Sequence, residues 1–209
     1  MSDVRGLDAP RTTPLTDVEK LCSGEAYKYF DVGDVIEIPM RSYGDQLFDV
    51  VGKNADGNNT ITLANKELFL LTQWHTSNVN KYETCALREL LNKDIFMQFD
   101  SEVQSAIKVV PKVCHNKSTA VTLTDKVWPF SYTEVGFSGN SYAPAEGTNY
   151  NFWKSNADRI KRYEGSATRW WLRTPYTNSD TGSWYVYTDG SSSNYNCSNS
   201  NGVVFGLVF

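Results

Sequence analysis

Short apolar runs separated by polar turns dominate the chain after Gly33. The runs are rich in β-branched and aromatic residues, and Pro39 closes the first of them. The segment 54–59, Asn-Ala-Asp-Gly-Asn-Asn, consists of residues that favour turns. Short β-rich runs joined by such turns predict an antiparallel meander. The runs cover residues 35–38, 47–51, 60–63 and 68–71.

The apolar period then changes to that of helices. One apolar face recurs within residues 83–92. A second follows, where Ser101 and Gln104 have the form of a capping box and Pro111 stops the helix. Two consecutive helices between β-rich halves predict an α+β fold rather than alternating βαβ units. The apolar positions are Leu87, Leu90 and Leu91 in the first helix and Val103, Ile107 and Val110 in the second.

We predict that residues 114–165 are mostly loop, with strands at 120–123 and 127–130. Residues 137–153 carry aromatic side chains among Gly, Ser and Asn. A loop of this length is often functional, so it either contributes to a binding surface or is a poorly packed insertion. Beyond it we predict strands at 170–173, 183–187 and 203–209, a hairpin turn at Asp189-Gly190, and core anchors at Trp170 and Trp171.

The first 32 residues differ from the remainder. They are polar, carry Pro10 and Pro14, and contain one short helical signal, the capping box formed by Thr16 and Glu19. We predict an N-terminal arm over residues 1–32, either disordered or ordered only by contact with another subunit. The folded domain is then predicted to cover residues 33–209.

Composition and charge argue against several functions. The net charge is -4 with a pI near 5.2, and Lys and Arg are scattered, which argues against a general nucleic-acid binder. No run approaches the roughly 20 apolar residues that span a bilayer, so we expect no membrane insertion. The first residues lack the apolar core of a secretory signal, so we expect synthesis in a cytoplasm unless a separate machine exports the chain or a particle packages it. Four separated cysteines (Cys22, Cys85, Cys114 and Cys197) favour buried or free thiols over a zinc site or disulfides.

Several separated motifs occur in an order typical of one family. They are Cys85-Ala-Leu-Arg-Glu-Leu-Leu-Asn92 with Phe99-Asp-Ser-Glu102, Leu123-Thr-Asp-Lys-Val-Trp128, Trp170-Trp-Leu-Arg-Thr-Pro175, Trp184-Tyr-Val186, Asp189-Gly190 and Gly202-Val203. Over about residues 33–209 the chain resembles an uncharacterised domain family of gut bacteria and their phages, whose members look like C-type-lectin folds. That fold is shared with sulfatase-modifying (formylglycine-generating) proteins and with the variable proteins of diversity-generating retroelements. The resemblance implies an α+β, C-type-lectin-like domain of antiparallel sheets, two consecutive helices and long loops.

Two departures from these patterns limit what the resemblance implies. The family usually ends with Gly-Val-Arg-Pro-Ala, where this chain has Gly-Val-Val-Phe-Gly at 202–206. The missing Arg removes a buried ion pair or cap that the family pattern implies. The Glu-Pro-Asn and Trp-Asn-Asp signatures of calcium-dependent sugar-binding lectins are also absent, so that activity is not implied.

Residues 174–209, here called the display surface, have the composition of a recognition site. The segment contains no Lys or Arg and only two Asp, with Tyr, Ser, Asn, Thr and Gly predominating. Antibody paratopes use the same residue types, because rigid rings supply contact area and small polar groups supply adaptable hydrogen bonds. The alternative is a solvated loop with strand-surface tyrosines. We expect loops at 176–183 and 191–201 to vary on an apolar frame, as in retroelement-diversified proteins, where adenine-directed mutation enriches such residues. The candidate ligand-binding residues are Tyr176, Asn178, Asp180, Trp184, Tyr185, Tyr187, Ser192, Asn194, Tyr195 and Asn196.

No catalytic centre is predicted. Cys114 and His115 are adjacent, and neighbouring side chains in an extended segment point apart. Formylglycine-generating activity needs a specific cysteine pair in the C-terminal half, and Cys197 is expected to have no partner nearby. Asp56 begins part of a calcium loop that lacks the later Glu, so a turn is the better interpretation. We predict no metal site and no cofactor.

These observations predict a non-enzymatic ligand- or receptor-binding protein. The resemblance implies a phage or prophage virion component, such as a fibre, decoration or tail-tip protein, that shows the display surface to a host or mucosal ligand. The expected partners are a protein or glycan on the host cell and other virion subunits bound through residues 1–32, in a homo-oligomer. The alternatives are a structural virion protein whose surface packs against other subunits, a protein of the bacterial cell surface, and an enzyme of the sulfatase-modifying type.

Overall fold

Two five-stranded sheets form the centre of the protein in a computed structural model that describes residues 14–117 and 119–209. Pairing is mostly antiparallel and the helices are short, so the predicted α+β class is confirmed. The helices are α1 (Asp17–Cys22), α2 (Ala86–Leu90), α3 (Ser101–Ala106) and α4 (Asn156–Arg159). The strands are β1 (Val35–Met40), β2 (Gly44–Lys53), β3 (Ile61–Asn65), β4 (Leu71–Gln73), β5 (Val110–Asn116), β6 (Thr119–Asp125), β7 (Trp128–Pro129), β8 (Lys161–Tyr163), β9 (Ser166–Thr168), β10 (Trp170–Pro175), β11 (Gly182–Val186), β12 (Ser192–Asn196), β13 (Ser200–Val203) and β14 (Phe205–Val208).

The first sheet has the strand order β1-β2-β3-β14-β7. Its first three strands form the predicted antiparallel meander. In β1, Ile36 and Ile38 are fully buried while Glu37 is exposed, because a strand alternates its side chains between two faces. The prediction that residues 68–71 form a fourth strand of this meander is wrong. Leu71 begins β4, which pairs with β13 in the other sheet.

The second sheet has the order β12-β11-β10-β13-β4 and is built largely from the display surface. The predicted hairpin turn at Asp189-Gly190 joins β11 to β12. Residues 191–201 were expected to form a loop, which is wrong over most of their length. They contribute β12 and the first residues of β13, because the register of the hairpin aligns them with β11 and β4.

The two predicted core anchors point to opposite sides of β10. Trp170 packs into one apolar cluster with Leu172 and Val186, and Trp171 packs into another with Val203. Both indoles are fully buried, so their prediction as core residues is confirmed. Each indole nitrogen donates to a backbone carbonyl, as a buried N–H requires. The strand that carries the display surface is therefore fixed from both faces.

The folded domain begins before the predicted boundary at Gly33. The capping box of Thr16 and Glu19 is confirmed at the start of α1. Leu21, Ala26 and Phe30 are buried in the same apolar cluster as β1. These three residues therefore belong to the core of the domain and not to a separate arm. Within the predicted arm, residues 1–13 lie outside the described residues.

The two predicted helices are present, with shifted ends. α2 is continued by one wide helical turn, Leu91–Ile95, so the predicted segment 83–92 is helical over most of its length. The capping box predicted for α3 is wrong. Gln104 instead donates to the Phe99 carbonyl, and Asp100 occupies the N-cap position. α3 ends at Ala106, and Pro111 lies in β5.

Among residues 14–117 and 119–209, no helix has both the length and the apolar character needed to cross a membrane.

Replacing Gly190 by Ala should lower the free energy of unfolding more than replacing Gly165. Both glycines have the same left-handed backbone, with φ of +81° and +80°. That conformation costs an L residue about 1–2 kcal/mol at either position. At Gly190 a Cβ would also lie 1.8 Å from the Asn156 carbonyl oxygen, whereas at Gly165 it would meet nothing within 4 Å. We expect a further loss of about 1–3 kcal/mol at Gly190 from overpacking. Urea unfolding of the two variants measures the difference, and equal losses would contradict the close packing of the hairpin turn on α4.

Candidate binding surface

The ten predicted ligand-binding residues lie around β12, the edge strand of the second sheet, but not on one face. In the β11–β12 register, directly opposed residues share a face. Tyr185 and Tyr195 therefore lie on one face, together with Tyr187. Trp184 and Asn194 lie on the other. The candidate residues are divided between two faces, because side chains alternate along a strand. Of the other predicted residues, Ser192 and Asn196 share the face of Trp184, and Tyr176, Asn178 and Asp180 lie in the connection from β10 to β11.

The first face carries a patch of three tyrosines, here called the tyrosine patch. Tyr185 is buried and contacts both partners, with ring centroids 6.2 Å from Tyr187 and 6.1 Å from Tyr195. Tyr187 and Tyr195 are 43% and 38% exposed. The buried ring thus supports two exposed ones, which fixes their orientation before any ligand arrives.

Arg169 lies against the tyrosine patch and was not predicted from the sequence. Its guanidinium carbon is 5.0 Å from the centre of the Tyr195 ring and 5.7 Å from that of Tyr185. These distances are within the range of cation–π attraction. A sequence signal was available, because Arg169 precedes Trp170 and Trp171 and so must share a face with Trp171.

The opposite face carries a second group of rings, which we call the aromatic stack. Trp184 contacts Tyr132 and Tyr176, at centroid distances of 4.8 and 5.6 Å. Tyr176 in turn contacts Tyr142, which is 46% exposed, and the Trp184 indole donates to the Tyr142 carbonyl. The long loop therefore contributes one exposed ring to the stack. Of the other large rings in residues 137–153, Tyr150 and Trp153 are buried core residues, and Phe137 and Phe152 are half-buried.

Two candidate ligand-binding residues are frame residues instead. Trp184 and Tyr185 are 8% and 5% exposed, because β11 lies between β10 and β12 with both faces covered. They hold the exposed rings and offer little surface themselves. Asn178, Asp180, Asn194 and Asn196 are exposed, while Tyr176 and Ser192 are half-buried.

The connection from β10 to β11 is held by a residue that the sequence reasoning missed. The Asn80 side-chain amide lies within hydrogen-bond distance of the carbonyls of Tyr176, Ser179 and Gly182. Asp180 forms an exposed ion pair with Lys117, at 2.7 Å. Because Asn80 binds backbone oxygens, its contacts with the connection from β10 to β11 do not depend on the side chains in that connection.

A buried cluster of charged residues lies beside the second sheet, at the base of a cleft of about 510 Å³. Arg173 on β10 makes a two-pronged ion pair with Glu134. Lys112 lies 3.4 Å from the same carboxylate and 2.6 Å from Asp56. Tyr150 donates to Asp56 at 2.6 Å. Asp56 is therefore engaged by side chains, and the interpretation of its segment as a turn agrees with the bends at 54–57.

Each carboxylate of this cluster has a cationic neighbour. Burial alone would raise the pKa of Glu134, but Arg173 and Lys112 outweigh it and hold the pKa below its ordinary value. Burial, with Glu134 and Asp56 nearby, raises the pKa of the Tyr150 phenol. Each member is hydrogen-bonded to at least one other member, so the cluster forms a connected buried polar network.

The four cysteines are free thiols, and three of them are buried. Burial raises the pKa of Cys114 to about 12, so its thiol stays protonated at neutral pH. His115 instead faces Glu146, 3.2 Å away. Burial also raises the pKa of Cys85 to about 12, and the nearby Cys197 adds to the shift. Cys85 and Cys197 are both free thiols, so Cys197 has no disulfide partner in the structure. The prediction of buried or free thiols is confirmed.

Replacing Glu134 by Gln should destabilise the protein in a pH-dependent way. The change leaves Arg173 and Lys112 without their shared carboxylate, which costs about 3–5 kcal/mol for a buried pair. Because the folded-state pKa of Glu134 is lowered, its contribution is complete above the unfolded-state pKa of about 4.3 and is lost as the pH falls through the folded-state value.

Urea unfolding at several pH values between about 7 and 3 measures the difference between the two proteins. The difference should shrink as the pH falls through the acid range. Glu25→Gln is the control, since its pair with Lys28 is exposed and should change stability little. A difference that stays constant with pH would contradict the role of Glu134.

Comparison with known proteins gives a family and no described relative. No curated protein matches the chain, and no solved structure matches it. Residues 58–204 match the family described as Domain of unknown function (DUF6273). The match covers more than half of the chain and contains β3, both predicted helices and most of the display surface. The chain therefore belongs to the DUF6273 family.

Proposed function

We propose that this protein is a non-enzymatic recognition protein that binds its ligand at the edge of the second sheet. The observation that carries the proposal is the tyrosine patch, in which a buried ring supports two exposed ones. Exposed tyrosines that are already fixed in place lose little conformational entropy on binding. A solvated strand surface has no need of such support.

The edge of the sheet can change its side chains without disturbing the core. Asn194, Tyr195 and Asn196 on β12 are exposed, while β10 and β11 beneath them are buried throughout. Variation is therefore confined to an edge strand whose ladder to β11 depends on backbone atoms. This separation supports the proposal that the segment belongs to a variable protein of the retroelement-diversified kind.

The finer fold and the location are part of the same proposal. We propose a C-type-lectin-like fold, on the antiparallel sheets, the two consecutive helices and the order of the motifs. The protein would be a phage or prophage virion component that binds a protein or glycan of the host cell. Tyr29 and Val32, which are 45% and 47% exposed, offer apolar surface for contact with another subunit within the segment 1–32.

Replacing Tyr187 and Tyr195 together by Ala should reduce adsorption to target cells by about tenfold or more, since each exposed ring is a potential interface hot spot. Particles carrying the wild-type or variant protein are counted after incubation with host cells. The control is Met97→Ala, since Met97 is 51% exposed and lies outside both the tyrosine patch and the segment 1–32.

Two outcomes would contradict the proposal. Unchanged adsorption by the double variant, with a normal unfolding curve, would exclude the tyrosine patch as the binding surface. Loss of the protein from the particle, rather than loss of adsorption, would instead indicate a structural subunit that packs through this surface.

A further inference from the structure

The outer edge of β12 presents backbone groups that no strand within the described residues uses. Hydrogen bonds from Tyr187 N–H to the Ser191 carbonyl and from Cys197 N–H to the Thr181 carbonyl fix the phase of the β11–β12 ladder. In an antiparallel pair, the backbone N–H and C=O groups of one residue point toward the partner strand, and those of the next residue point away from it. The outward residues are therefore Ser192, Asn194 and Asn196.

Five backbone groups on this edge remain for a partner. Asn196 uses its carbonyl to accept from the Asn199 N–H, at 2.9 Å. The groups that remain are the N–H groups of Ser192, Asn194 and Asn196 and the carbonyls of Ser192 and Asn194. β12 also lacks the Lys, Pro and charged residues with which proteins usually protect an open edge. A strand added at this edge could therefore form hydrogen bonds with these five backbone groups.

The charge beside this edge is positive and unpaired. Arg169 is the one arginine among residues 14–117 and 119–209 whose guanidinium donates no hydrogen bond in the structure, and it has no carboxylate partner there. Its contacts are the rings of Tyr185 and Tyr195. Arginines elsewhere in the described chain donate to carboxylates, amides or carbonyls, as Arg162 does to the Gly165 carbonyl. A guanidinium held over two rings with its donors unused is suited to bind an anion.

The edge and the charge meet on one face of the sheet. Ser193 is small and lies directly opposite Tyr185, so it leaves room above the edge strand next to Arg169. In an added strand, a residue opposite Ser193 would have its Cβ about 4.5–5.5 Å away on this same face. A Glu or Asp side chain there would reach toward the guanidinium.

We propose that β12 binds an extended acidic segment of a partner protein as an additional strand, with one of its carboxylates paired to Arg169. The proposal rests on the proposed recognition function and specifies its partner. The outward backbone groups favour a peptide over an acidic sugar, because a sugar has no regular row of amide donors and acceptors to match them. The exposed rings of Tyr187 and Tyr195 would flank the bound segment.

The test uses the full chain and synthetic peptides of about nine residues, a typical strand length. One labelled peptide alternates Thr and Glu, and its counterpart alternates Thr and Lys. Fluorescence anisotropy measures the dissociation constants for the wild-type protein and four variants. Asn194→Pro removes an outward N–H and blocks the edge, whereas Asn194→Ala removes the side chain and keeps the N–H. Arg169→Gln removes the unpaired charge, and Arg162→Gln removes an exposed charge elsewhere.

We expect the Thr/Glu peptide to bind about tenfold or more tightly than the Thr/Lys peptide. Asn194→Pro should weaken binding of the acidic peptide by about tenfold or more, with a loss of about threefold or less for Asn194→Ala. Arg169→Gln should weaken it by about tenfold, while Arg162→Gln changes it by less than about twofold. Unfolding curves confirm that the variants are folded.

Three results would overturn the proposal. They are equal binding of the two peptides, equal affinity of the Asn194→Pro and Asn194→Ala variants, and no binding of the acidic peptide up to about 1 mM. Polygalacturonate, an acidic polysaccharide, is tested in parallel. If it binds and the peptide does not, the partner is a glycan. Should the tyrosine replacements reduce adsorption while these peptide results fail, the recognition function stands and only its partner class is wrong.

Discussion

The buried ion pair between Arg173 and Glu134 is the interaction on which the arrangement of the molecule depends. Arg173 lies on β10 in the centre of the second sheet, and its guanidinium also donates to the carbonyls of Val113 and Pro129. It thereby joins the second sheet to the β5–β6 hairpin and to β7 at the edge of the first sheet. Hydrophobic packing has no direction, whereas five donors in a planar fork fix three elements in one geometry.

That geometry determines where the edge strand of the second sheet lies. β10 carries Trp170 and Trp171 into separate apolar clusters and leaves Arg169 at its beginning, beside the tyrosine patch. Because β10 is held by its core residues and by Arg173, the edge strand two positions away can vary its side chains. In the proposed recognition function, specificity and stability would therefore reside in different strands of one sheet.

Much of the local structure could be predicted from the sequence, because it follows from periodicity and turn chemistry. Alternation in β1, the Asp189-Gly190 turn and the capping box at Thr16 each depend on residues close together in the chain. What could not be predicted depends on distant partners. Glu134 and Arg173 are 39 residues apart, and β4 pairs with a strand far along the chain. The two-sided distribution of the candidate residues followed from alternation, but it required the register of β11 and β12.

The position of β14 has a consequence for how the protein is made. β14 lies between β3 and β7 in the first sheet, so a strand ending at Val208 pairs with one that begins at Ile61. Forming such distant contacts requires closing a long loop, which slows folding. During synthesis the meander of β1 to β3 emerges from the ribosome well before β14, the strand that pairs with β3. The edge strand β12 also emerges before β14. The edge strand β12 is therefore exposed as a nascent chain before the first sheet is complete, and its sequence must remain soluble during that interval.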